Sequence, residues 1–228
     1  TEISTMRASL RDEQSVKEYY KDIAGKLLNE FNLMAKLKGN SNIVSYEDHN
    51  IEPHEDGIGY DILIRMELLT PLSEYFENGI DEKDVIRLGI DICKALEICQ
   101  QYEIVHRDIK PENIFVSQSG SFKLGDFGVA KTMKSIETVM TKAGMYTYMA
   151  PELYKGEKSG ASVDIYSLGM VMYQLLNYNR EPFLPTPPER FTFEQKENAL
   201  MRRMKGDGLP NPCQASEDLS KVILKACS

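Results

Sequence analysis

The chain has 228 residues, 42% of them hydrophobic, enough apolar material for one sizeable core or two smaller ones, so disorder is excluded as the default. A formal charge of −8 gives no overall field to draw it toward nucleic acid, which is excluded as an expected partner. The four cysteines, Cys93, Cys99, Cys213 and Cys227, form no CxxC pair, so they read as reduced thiols of a cytoplasmic protein rather than as a zinc site or disulfide framework.

From Asp12 to Lys38, apolar residues at Val16, Tyr20, Ile23, Leu27, Phe31, Met34 and Leu37 follow the three-and-four spacing of an amphipathic helix that Gly39 ends. Asn42 to Tyr46 and Tyr60 to Leu68 read as strands, with Glu52 to Gly59 as the hairpin connection. Pro71 interrupts this pattern. Asp81 then serves as N-cap for a second helix with Val85, Leu88, Ile92, Leu96 and Cys99 on one face. The remainder is mainly helical. Val163 to Leu176 is apolar on nearly every side, as in a helix buried inside a lobe, and Pro182 to Pro188 is expected to be a surface loop. No apolar run reaches the length of a membrane span and no signal-peptide pattern opens the chain, although an anchor outside this segment is possible. A start at Thr1 without an initiator Met, and a stop directly after the helical-looking Glu217 to Ala226, predict a longer gene product.

Between the second helix and the next strand stands His106-Arg107-Asp108-Ile109-Lys110-Pro111-Glu112-Asn113, followed by Asp126-Phe127-Gly128, Ala150-Pro151-Glu152 and Asp164-Ile165-Tyr166-Ser167-Leu168-Gly169. About ten specified positions in this order and spacing resemble the signature set of the protein kinases. Lys110, two residues after Asp108, is similar to the serine/threonine-directed branch, and the runs at 37–44 and 64–72 resemble its bacterial members. The implied fold is α+β and two-lobed: a partial N-lobe of a helix plus antiparallel strands over 1–69, including the hinge, and a mainly helical, C-terminally truncated C-lobe over 70–228. The implied function is transfer of the ATP γ-phosphoryl group to protein Ser or Thr hydroxyls. Rival readings are a pseudokinase scaffold or nucleotide-binding regulatory module, which the intact Asp108, Asn113 and Asp126 argue against, and a small-molecule kinase, which Ala150-Pro151-Glu152 disfavours.

The chemistry accounts for the residue types, because phosphoryl transfer needs positioned charge more than covalent help. The resemblance implies that Asp108 accepts or orients the substrate hydroxyl proton, Lys110 neutralises the transferring phosphoryl group, and Asn113 and Asp126 hold Mg²⁺ through oxygen ligands. It implies that Glu30 pairs with the ATP-binding lysine, that Met66 is the gatekeeper, that Glu67 and Leu69 meet adenine through their backbones, and that Phe115 underlies the ring. His106 and Phe127 are expected to pack with Met34 and Tyr46 in an apolar stack, and Glu152 to pair with an arginine beyond the sequence. Thr132, Ser135, Thr138 and Thr141 are candidate phosphosites, with Arg107 and Lys131 as phosphate partners. There are two departures. The family's Gly-rich loop and third-strand lysine belong before residue 1, so the segment alone is expected to be inactive. Met145 stands where a threonine hydroxyl is expected, leaving either a weakened positioning of Asp108 and Lys110 or a shifted loop in which Thr147 supplies the hydroxyl.

Overall fold

A computed structural model describes residues 13–55, 59–76, 79, 81–127 and 146–228, apart from the side chains of residues 13, 26, 29, 30 and 33. The described residues fall into two compact units, one of 13–40, 44–68 and 126–127, the other of 41–43, 69–125 and 146–228.

The first unit is built on helix α1 (Glu13–Lys36) and the antiparallel pair β1 (Tyr46–Pro53) and β2 (Tyr60–Met66). The predicted stripe of α1 is its buried face: Leu27 and Phe31 are at most 1% exposed, and Phe31 stacks on Tyr46 with ring centroids 5.7 Å apart. The expected first strand is corrected. Residues 42–45 are not strand, the ladder starts at Tyr46, and 52–53 belong to it rather than to the connection. Asn42 and Ile43 are instead spent in the other unit, where Asn42 Nδ2 donates to Phe122 O at 3.0 Å and Ile43 forms a parallel bridge with Leu124. Their burial mimics a strand, whereas β1 itself is polar and mostly exposed, held by its ladder rather than by apolar alternation.

In the second unit, β3 (Thr70–Pro71), β4 (Ile114–Val116) and β5 (Phe122–Leu124) form a small antiparallel sheet. Helix α2 (Leu72–Tyr75) follows β3, and α3 (Glu82–Gln101) starts where Asp81 accepts a hydrogen bond from Lys83 N at 3.2 Å. The predicted face of α3 is buried, with Val85, Leu88 and Ile92 at 0% exposure. Asp91, on the same helix, accepts from Phe122 N at 3.1 Å and so fixes β5 to α3.

Helix α4 (Pro151–Tyr154) is short, and α5 (Ser162–Leu175) is buried along nearly its whole length, as its composition predicts. Two glycines permit close packing around α5: a Cβ on Gly89 of α3 would lie 2.9 Å from Met172 Cε, and one on Gly169 would lie 2.7 Å from Cys227 Sγ. Helix α6 (Phe193–Lys205) opens with a capping box between Thr192 and Gln195 and closes on Gly206 at φ 88°. Helix α7 (Glu217–Ala226) is capped by Ser216, which also donates twice to Glu82, at 2.7 Å each, tying α7 to α3. The proline-rich stretch is not wholly a surface loop. Pro182 is buried and Leu184 is 8% exposed, and the turn after α5 is closed by Asn177 Nδ2, which donates to Arg180 O at 3.0 Å. No helix among the described residues is long and apolar enough to cross a membrane.

Candidate active site

The loop after α3 takes its shape from one carboxylate. Asp164, in the first turn of α5 and 2% exposed, accepts from His106 N and from Arg107 N at 2.7 Å each. A buried carboxylate is tolerated when both oxygens are hydrogen-bonded, and charge-assisted bonds of this kind are the strong ones. They hold Arg107 at φ 61°, a region that non-glycine residues avoid, so the turn before Asp108 is strained and its strain is offset by α5.

His106 is 6% exposed and has both ring nitrogens in use: Nδ1 accepts from Asp108 N at 3.3 Å and Nε2 bonds to Gly125 O at 2.9 Å. With Nδ1 accepting, Nε2–H donates to Gly125 O, and the ring braces the loop within the second unit.

Pro111 begins a single 3-10 turn, Pro111–Asn113, that carries Asn113 back onto Asp108. Asn113, 4% exposed, donates from Nδ2 to Asp108 O at 2.7 Å and to Asp108 Oδ2 at 3.3 Å, and Lys110 Nζ lies 3.1 Å from the same Oδ2. Gly125 N donates to Asn113 O at 2.9 Å, so the residue before Asp126 is fixed to the loop. The fold thus brings Asp108, Lys110 and Asn113 into one cluster, with the Asp108 and Lys110 side chains 30% and 22% exposed and open to a substrate. Commitment of Nδ2 leaves Oδ1 as the acceptor end of the Asn113 amide. An amide oxygen of this kind is a hard donor of the type that Mg²⁺ takes.

Asp126 and Phe127 belong to the other unit. Asp126 has φ 58°, a second strained non-glycine position, and Phe127 is 8% exposed, as are its expected stack-mates Met34 at 7% and Tyr46 at 6%. Met66 ends β2 opposite Tyr46 and is 47% exposed, which excludes ordinary strand core. Glu67 extends the hairpin: its N–H donates to Ser45 O at 3.1 Å while its carboxylate accepts from Ser45 N. In the second unit Pro71 pairs with Phe115, which sets Leu69 at the entrance of the strand beside the one carrying Phe115. The backbone of Glu30 lies on α1, but its side chain, together with Gly128, Lys131, Thr132, Ser135, Thr138, Thr141 and Met145, lies outside the described residues.

Thr147 Oγ1 lies 3.5 Å from Glu181 Oε1. Sequence reasoning quoted Asp164 in a motif but missed its role; the signal was a lone carboxylate opening an otherwise apolar helix. Burial pushes the Cys99 and Cys227 thiols up to about 12, and no cysteine is paired, which leaves these two buried thiols protonated and inert at neutral pH.

Residues 7–228 match the family described as protein kinase domain. The chain belongs to that family. Its similarity extends to the "Probable serine/threonine-protein kinase CPE1738" of Clostridium perfringens, 32% identical over 95% of this chain and 30% of that protein. The serine/threonine-protein kinase PknB of Mycobacterium leprae is 32% identical over 63% of this chain and 23% of its own length. The serine/threonine-protein kinase AKL1 of Saccharomyces cerevisiae is 31% identical over 80% and 17%. This kinase domain therefore spans less than a third of the length of the curated relatives it matches.

Proposed function

We propose that this kinase domain is the catalytic part of a serine/threonine protein kinase that transfers the γ-phosphoryl group of ATP to hydroxyls of a protein substrate, in the cytoplasm and with no nucleic-acid partner. The observation that carries the reading is the cluster of Asp108, Lys110 and Asn113 braced on buried Asp164. Asp108 receives or orients the proton of the attacking hydroxyl. Lys110, bonded to Asp108 Oδ2, is in reach to neutralise charge on the phosphoryl group as it passes between oxygens. Asn113 Oδ1 and the Asp126 carboxylate hold Mg²⁺, which when bound supplies charge neutralisation on the nucleotide phosphates. Met66, Glu67, Leu69 and Phe115 form the adenine side of the nucleotide site, Glu30 orients its lysine, and the lobes divide near Leu69.

The names of the relatives support Ser and Thr as acceptors, as does Lys110. The test is transfer from labelled ATP by the full-length protein, with and without Mg²⁺, to a generic protein substrate and to small alcohols and aminoglycosides. Mg²⁺-dependent label on Ser or Thr is expected. Label confined to small acceptors, or none, would overturn the reading.

A further inference from the structure

Strand β1 carries an extra residue at its start. Tyr46 pairs with Met66 and Asp48 with Arg65, so Glu47 has no opposite number in β2 and the ladder bulges there. The Glu47 carboxylate is half exposed and lies 3.0 Å from Arg65 Nε. In an unbroken strand residues two apart share a face and residues three apart do not. The bulge resets that alternation: Tyr46 is buried, Glu47 and Asp48 are exposed, and His49 is half-buried, so Tyr46 and His49 come to one side of the hairpin.

Both rings close on the same residue of α1. Phe31 stacks on Tyr46, and its centroid lies 4.3 Å from that of the tilted His49 ring. A hydrogen bond joins Tyr46 Oη to His49 Nδ1 and completes a clamp of three rings. Phe31 is 1% and Tyr46 6% exposed. A buried hydroxyl must find a partner, which an apolar side chain at position 46 would not require. Rings in contact can slide over one another at small cost, whereas the hydrogen bond permits a narrow range of offsets.

The other buried residues of α1 provide no such fix. Val16, Ile23 and Leu27 contribute apolar burial, which is non-directional. Phe31 follows Glu30, and successive residues of a helix stand about 100° apart around its axis. The roll of α1 that seats Phe31 in the clamp therefore also sets the direction in which the backbone presents residue 30.

We infer that His49 is a positioning residue: through Tyr46 it locks Phe31, and with it the roll of α1 that aims Glu30. The inference rests on the protein-kinase reading above, which gives Glu30 the task of orienting the ATP-binding lysine. The test is Tyr46→Phe, His49→Phe and the double variant in the full-length protein, which keep all three rings and remove the hydroxyl, its partner or both. The readouts are thermal midpoint, separate KM values for ATP and a protein substrate, and nitrogen NMR of the His49 ring. Each single variant is expected to raise the ATP KM about tenfold with the protein KM within about twofold, and the double variant to go no further, since the bond is already broken. The Nδ1 signal of the parent is expected to move in Tyr46→Phe. An unchanged ATP KM in the single variants, losses that multiply in the double variant, or a static Nδ1 signal would overturn the positioning role while leaving the kinase reading intact. Failure of the parent protein itself to phosphorylate a protein would overturn both.

Discussion

The loop 106–113 and the β1–β2 hairpin are held in opposite ways. In the loop, His106, Ile109 and Asn113 are at most 6% exposed, and the two bonds that set its shape come from a carboxylate more than fifty residues away. In the hairpin, Leu63, Met66 and Leu68 are 59%, 47% and 95% exposed, and the strands hold each other through a local ladder from Tyr46↔Met66 to Pro53↔Tyr60. The chemistry proposed for the loop depends on placement to within a fraction of an ångström, and long-range buried polar bonds over-determine the loop backbone. The exposed residues of the hairpin can tolerate change that the loop cannot.

The largest expected effect is at Asp108. Asp108→Asn should lower turnover by orders of magnitude while nucleotide affinity stays within a few-fold, as for a group that acts mainly in the transition state, whereas Asp126→Asn should weaken Mg–ATP binding. Equal loss of nucleotide affinity in both variants, measured by titration calorimetry, would break the division of roles.

Next comes the brace itself. Asp164→Asn replaces an acceptor of two backbone N–H groups with an amide that can accept through only one oxygen, and should cost about 2–3 kcal/mol in denaturant unfolding together with a drop in turnover. Full stability and full activity in that variant would show that the loop keeps its shape without α5.

Gly169→Ala perturbs packing without touching the site. Its new Cβ would lie 2.7 Å from Cys227 Sγ and 3.0 Å from Ala226 Cβ, so α7 must shift, at a cost of about 1–3 kcal/mol. The KM values should be unaffected, which separates general destabilisation from the loss of a brace. The smallest effect belongs to the hairpin: Leu68→Ser should change stability by no more than about 0.5 kcal/mol. A larger loss by thermal denaturation would mean that Leu68 is covered in the full-length protein.

Much of the fold was legible because local rules and tertiary demands agreed. The faces of α1, α3 and α5, the Asp81 cap and the helix at 217–226 all follow from periodicity and capping residues. The first strand was misplaced because Asn42 and Ile43 are buried by the other unit, whereas the true strand Glu47-Asp48-His49-Asn50 carries no apolar signature. Of the site, the grouping of Asp108, Lys110 and Asn113 could be read from spacing, since a single 3-10 turn connects them.

What the sequence by itself determined is the set of reactive groups and the family, because residue type and short-range spacing are enough to specify a carboxylate, a lysine and an amide within one turn. Only the tertiary structure decided what holds them. The bonds from Asp164 to His106 and Arg107, and from Arg203 to Tyr146, join residues 57 or 58 positions apart, at separations where no periodicity or local propensity reports which side chain meets which backbone group. Such pairings form only when the apolar packing around α5 draws distant segments together, and the polar groups trapped there must then find partners or remain unsatisfied.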